Sequence, residues 1–208
     1  MDTRQKIIEA AARLFHEQGY AATGIAAILK EAGVNAGSMY HYFDGKEALL
    51  AEVLDWYRDN LVPRIMKPIE AAEPDPLRRV FRLLGWYRDF LAEHDCRLGC
   101  PVGNLALEVS DTHPQLRARL GRNLERWSGR LRLWLEQAAE RLPPDCDRDS
   151  LARFVLTVME GAVMQARTAG SLRPFDEAVA QLRRHFAALE REAARAAGPK
   201  APAMAVNG

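Results

Sequence analysis

Three cysteines, Cys96, Cys100 and Cys146, are the residues of this chain best suited to covalent chemistry. A thiol reacts as its thiolate, so its surroundings decide what it does. Pro101 follows Cys100 and puts the thiol at or just before a helix N-terminus, where the helix dipole favours the thiolate. Arg97 can add positive charge. The expectation is a lowered pKa and a thiol open to oxidants or unsaturated carbonyls. A buried, inert thiol is the alternative, and the residues leave both open. Cys96 and Cys100 can form a disulfide if their backbones approach. Together with His94 and His113, the cysteines match no compact zinc spacing, so neither metal nor cofactor is expected. An enzyme using Cys100 with a histidine lacks any nucleophile-elbow or oxyanion-hole signature.

A second group of residues is suited to recognition. The stretch TGIAAILKEAGVNAGSMYHYFDGK, Thr23 to Lys46, reads as two short helices meeting at a tight turn around Gly33. Glycine suits that turn because a Cβ penalises the backbone conformation it needs. Ile28, Ala32, Val34 and Met39 can pack the pair at a fixed angle. The second helix then presents Asn35, Ala36, Ser38, Tyr40, His41 and Tyr42, small or polar groups that fit a major groove. The tyrosine hydroxyls can donate to phosphates. Lys46 falls in the first turn of the next helix, where its ammonium and free backbone N–H groups attract phosphate. Residues 1–62 hold six basic and nine acidic side chains, a net charge of −3. Any basic footprint for DNA is therefore local.

Positioning these groups falls to helices. Apolar residues recur at helical spacing throughout, with no convincing strand run. Ile7, Ile8, Ala11, Leu14 and Phe15 mark the first helix, ended by Gly19. Thr23 is the expected cap of the second, and Asp44, with Glu47 as capping-box partner, that of the fourth. The fourth should end near Pro63, with Pro68 and Pro74-Asp75-Pro76 marking a turn. Further helices are expected at Leu77 to about Glu93, Val102 to Val109, from Pro114 to Pro143-Pro144, from Asp149 or Ser150 to Gly170, and from Phe175 to about Arg195. The long helix after Pro114 carries Arg119, Arg122, Arg126 and Arg130, read as a solvated side opposite its leucine stripe. The expected fold is all-α, with about nine helices. A DNA-reading domain spans 1–62, with its helix-turn-helix at about 24–43. A larger bundle for sensing and dimerisation spans 63–195, followed by a flexible tail over 196–208.

The larger domain is rich in big apolar side chains. Trp86, Phe90, Leu105, Trp127, Leu131, Trp134, Phe154 and Met159, with Cys100, are candidate walls of a small-molecule cavity, although each alone suits an ordinary core. The last two helices offer Phe154, Val155, Val158, Ala162, Leu182, Phe186 and Leu189 for a two-fold interface. The chain has 208 residues, 48% hydrophobic and 27% charged, with net charge +1. That is globular composition, and the bulk charge names no partner. Sparse cysteines, a charged N-terminus and no long apolar run point to a cytoplasmic protein without membrane contact.

The run AGVNAGSMYHYFDGKEALL resembles the TetR family of transcriptional regulators, whose usual form is close to AGVSKGSLYHYFPSKEAL. The resemblance implies a homodimer that sets two recognition helices in successive major grooves of a palindromic operator. It places Asn35, Ala36, Gly37, Ser38, Tyr40, His41, Tyr42 and Lys46 at DNA-facing positions, with Thr23 a further candidate contact. Ala36 stands where relatives often carry lysine, so one phosphate contact is missing. The stretch GCPVGNLALE, Gly99 to Glu108, is similar to GC-x-x-GN-x-x-x-E in a branch that includes sensors of electrophiles and reactive carbonyl compounds. Leu29 in ILKEAGV fits that branch. The implied function is a repressor released from its operator by a small apolar or electrophilic inducer, or by cysteine modification. An activator of the same fold and a purely structural helical adaptor remain as alternatives.

Overall fold

The computed structural model describes residues 2–197; of the tail expected over 196–208, Ala196 still belongs to the last helix, and the positions beyond 197 lie outside the described residues. Every regular element is helical, with no strand among the described residues. In order these are α1 (Thr3–Gln18), α2 (Ile25–Ala32), α3 (Ala36–Tyr42), α4 (Lys46–Trp56), α5 (Val62–Ala72), α6 (Pro76–Glu93), α7 (Pro101–Val109), α8 (Pro114–Gln137), α9 (Arg148–Ala169) and α10 (Arg173–Ala196). A π turn, Tyr57–Leu61, joins α4 to α5 without a break, so the two form one rod. Counted as rods, the described residues make nine helices.

Local chemistry sets most of these limits. Gly33 closes α2 in the left-handed region at φ 66°, ψ 37°. Asn35 opens α3 by accepting from the Ser38 N–H at 2.9 Å. Asp75 opens α6, accepting from the N–H groups of Leu77 and Arg78. Prolines stand in the first turns of α6, α7, α8 and α10, where a missing N–H costs nothing.

Several expected boundaries fall elsewhere. Thr23 does not cap α2: Gly24 occupies that position, and Thr23 is fully buried, donating to the carbonyls of Gly19 at 2.6 Å and Leu14 at 3.2 Å. Gly45, not Asp44, precedes α4, and the Glu47 carboxylate accepts from Gln115. Asp147, not Asp149 or Ser150, caps α9. The fourth helix passes Pro63 and takes Pro68 into its interior. The π turn makes this passage feasible. Pro63 has no N–H to give, and the ladder shifts so that the Val62 N–H reaches the Tyr57 carbonyl. Side chains serve carbonyls beside the shift: Asn60 Nδ2 donates to Trp56 at 3.1 Å, and Asn123 Nδ2 donates to Leu54 at 2.9 Å.

Two apolar clusters hold the molecule together. One fills the body among α5, α6, α8, α9 and α10. The other lies under α1 to α4, yet Cys100, Val102, Leu105 and Val109 of α7 and Leu116 and Leu120 of α8 complete it. Leu61 and Leu124 pack against both. Residues 1–62 thus share their core with the body. Arg119 pairs with Asp55 and Arg130 with Glu70, so part of the basic side of α8 is tied to the α4–α5 rod rather than merely solvated.

Candidate DNA-reading head and effector cavity

The recognition helix is built as its residue types require. Met39 is fully buried and Phe43 nearly so, which anchors α3 on the head's core. The opposite side is open. Tyr40 is 57% exposed and Tyr42 39% exposed, with Asn35, Ala36, Gly37 and His41 also exposed and Ser38 half-buried. Tyr42 and His41 stack edge to face at 4.8 Å, which restrains both rings. Lys46 sits beside this face with its Nζ 4.3 Å above the Tyr20 ring and 3.5 Å from the Ala21 carbonyl. Thr23 leaves the set of DNA-facing candidates, because its side chain points into the core and its hydroxyl is engaged there.

Polar contacts tie this head to the body beyond the shared core, in addition to the Arg119–Asp55 and Asn123–Leu54 pairs. His16 Nε2 lies 2.7 Å from the Gly99 carbonyl, and its ring stacks on Phe90 at 6.0 Å. Within the head, the Tyr57 hydroxyl donates to the Ala12 carbonyl at 2.6 Å. Glu108, in the last turn of α7, accepts from two consecutive backbone N–H groups in the α1–α2 loop: Tyr20 at 2.8 Å and Ala21 at 2.6 Å. Sequence reasoning missed this role, although Glu108 is the acid of the GC-x-x-GN-x-x-x-E stretch.

The other end of α7 opens on a cavity of about 730 Å³ between α7, α8 and α9. Cys100, Leu124, Leu156, Val163 and Met164 supply apolar wall, and Glu160 and Arg167 are its charged lining residues. Cys100 caps α7, its Sγ accepting from the Gly103 N–H at 3.4 Å. The expected thiolate does not follow. Burial pushes the thiol well above its ordinary value, and the neighbouring Glu160 carboxylate pushes it further. These outweigh the helix N–H groups. Arg97 points away and pairs with Asp95. Glu160 was also missed, though a single acid inside VLTVMEGAVM was the available signal.

The remaining cavity candidates divide differently. Leu105, Trp127, Leu131, Trp134 and Met159 are core residues and do not face this cavity. Trp86 and Phe90 line a separate space of about 300 Å³ against α1, with His16 and Trp56. Phe154 is 45% exposed on α9, edge-on to His185. Among the dimerisation candidates, Val155, Ala162, Leu182 and Phe186 are buried in the protomer's own core and have no surface to share. Phe154 remains open, and Val158 and Leu189 are half-buried. Among the described residues no group of three or more His, Cys, Asp or Glu side chains is placed to hold a metal. No described helix is long and apolar enough to cross a membrane.

Two family models match the chain. Residues 7–53 match "Bacterial regulatory proteins, tetR family", and residues 76–182 match "Tetracyclin repressor-like, C-terminal domain". The chain belongs to the TetR family. Members are DNA-binding transcription factors rather than enzymes, and dimers are typical of them. Among relatives of this TetR-family chain is the transcriptional regulator AcuR of Cereibacter sphaeroides, 34% identical over 88% of this chain and 84% of AcuR. A TetR regulatory protein from Rhodobacter sphaeroides superposes with TM-score 0.76 at 29% identity, covering 90% of this chain and 97% of the other. Escherichia coli NemR in its reduced form does so with TM-score 0.75 at 25% identity, with the same coverage. The helix-turn-helix is thus the DNA-binding element of a transcriptional regulator.

Proposed function

We propose that this TetR-family regulator is a repressor released from a palindromic operator when a small molecule occupies the α7–α9 cavity. One observation carries the reading. The nine-residue helix α7 has Cys100 on the cavity at one end and Glu108 gripping the α1–α2 loop at the other. A ligand that displaces α7 must then move the loop that feeds α2 and α3. Two heads in a dimer read successive grooves only when about 34–36 Å apart, so a small tilt of each head suffices for release. The exposed set Asn35, Ala36, Gly37, Tyr40, His41 and Tyr42 forms the proposed DNA face, with Phe154, Val158 and Leu189 at the proposed two-fold interface.

The test is an anisotropy titration on the protein's own upstream DNA. Wild type should bind, and Glu108→Gln should bind operator comparably while losing most of its response to inducer. A full response in Glu108→Gln rules out α7 as the route. Because coupling is reciprocal, operator should weaken inducer binding by the same factor.

A second reading, modification of Cys100, is favoured by the position of its thiol on the cavity wall and by the likeness to NemR, a relative described in a reduced form. The raised pKa makes this the slower trigger at neutral pH. Electrophile-induced release that persists unchanged in Cys100→Ser ends it.

A further inference from the structure

Glu160 is a carboxylate kept inside an apolar wall at evident cost. Its Oε1 is closed off from solvent and has no hydrogen-bond partner. A buried acceptor left unpaired is unfavourable, and burial accordingly holds the Glu160 carboxyl above its ordinary range. Space has also been left for it. Gly103 on α7 faces Glu160, and a Cβ at that position would run into Oε2. In this rotamer the carboxylate fits only opposite glycine, and one of its oxygens still goes unserved.

The cavity beside it has walls from Leu124, Leu156, Val163 and Met164. Its other charged lining residue, Arg167, is exposed. A ligand that suits this arrangement brings a hydrogen-bond donor to the carboxylate where Glu160 lines the cavity and an apolar body to the walls. An ammonium does so with charge assistance, giving the carboxylate a counter-charge. A carboxylate ligand would put two like charges together, and a neutral acceptor would face another acceptor.

We infer that the cavity selects a small amphipathic amine, its ammonium on the Glu160 carboxylate and its hydrocarbon body against Leu124, Leu156 and Val163. This deepens the effector-cavity reading and rests on it for any consequence at the operator.

The experiment is calorimetric titration of the full-length protein with 4-phenylbutylamine, 4-phenylbutanol and 4-phenylbutyrate. The amine should bind about tenfold or more tighter than the carboxylate, and Glu160→Gln should weaken the amine about tenfold while changing the alcohol little. Equal binding of amine and carboxylate, no amine heat at millimolar concentration, or an unchanged amine affinity in a folded Glu160→Gln overturns the inference. If Glu160→Gln does not fold, the wild-type comparison of amine with carboxylate decides alone. Operator release is read separately. Amine binding without release sustains the role of Glu160 and ends the effector-cavity reading; release by the carboxylate as readily as by the amine does the reverse.

Discussion

His16 shows how one side chain can link head and body and carry a pH signature. Burial lowers its pKa below the ordinary 6.5, and its Nε2 serves the Gly99 carbonyl. Between the depressed value and 6.5 the unfolded chain binds more protons than the folded one. Stability therefore falls as pH drops below about 6.5 and stops falling once pH passes the folded-state value. Thermal melts at pH 7.5 and 5.5 should show a loss in wild type that shrinks in His16→Gln, whose amide can still donate to Gly99. An equal loss in both proteins assigns the effect to other groups. At this scale the sequence was only partly legible. Tyr40, Tyr42 and His41 were readable as an outward face because Met39 and Phe43 on either side of them are apolar. Thr23 was not, since a threonine before a helix looks like a cap whether its hydroxyl turns to the helix or, as here, back into α1. Cys100 stands at a helix N-terminus as expected, but its reactivity depends on burial and then on Glu160, sixty positions away in the chain.

Among the elements, the rod from α4 to α5 departs most from its pattern. Pro63 and Pro68 read as stops because an α-ladder cannot use them, and a π turn leaves no apolar periodicity of its own to announce it. Tertiary support makes it tenable: Asn123, fully buried on α8, donates to the Leu54 carbonyl just ahead of the shift. Asn123→Ala should cost about 1–3 kcal/mol by removing a buried donor to that carbonyl, which keeps the Tyr57 N–H, and by leaving a void where the amide packed. For a domain of this size that is a fall in Tm of roughly 2–12 °C. A melt within a degree of wild type would mean that the neighbouring N–H groups satisfy Leu54 unaided. Most other helix limits were legible to within a residue or two, because proline, glycine and Asx residues act locally. Periodicity could not tell which apolar positions of α9 and α10 serve the protomer and which serve a partner. Val155 and Phe154 are neighbours in sequence, yet one is buried and the other open.

For the whole molecule, charge sets the expectation on DNA. The head's formal charge of −3 makes any basic footprint local, with Lys46, Arg4 and helix N-termini the expected groups to meet phosphates. Arg4 is already paired with Glu52. Binding to random duplex should be weak, with a log–log salt slope shallower than about −8 in an anisotropy titration. A steeper slope would reveal a basic surface that these residues do not supply.

The ceiling of the reading head's core is the underside of α7 and the start of α8. The first 62 residues expressed alone would thus expose a half-built interior and should give no cooperative melt. The same holds in evolution and in the laboratory: a specificity swap between relatives that cuts at residue 62 separates Ile7, Phe15 and Leu50 from the side chains that roof them. A working hybrid would have to carry α7 along with its head, and so would inherit the donor's cavity floor together with the donor's operator.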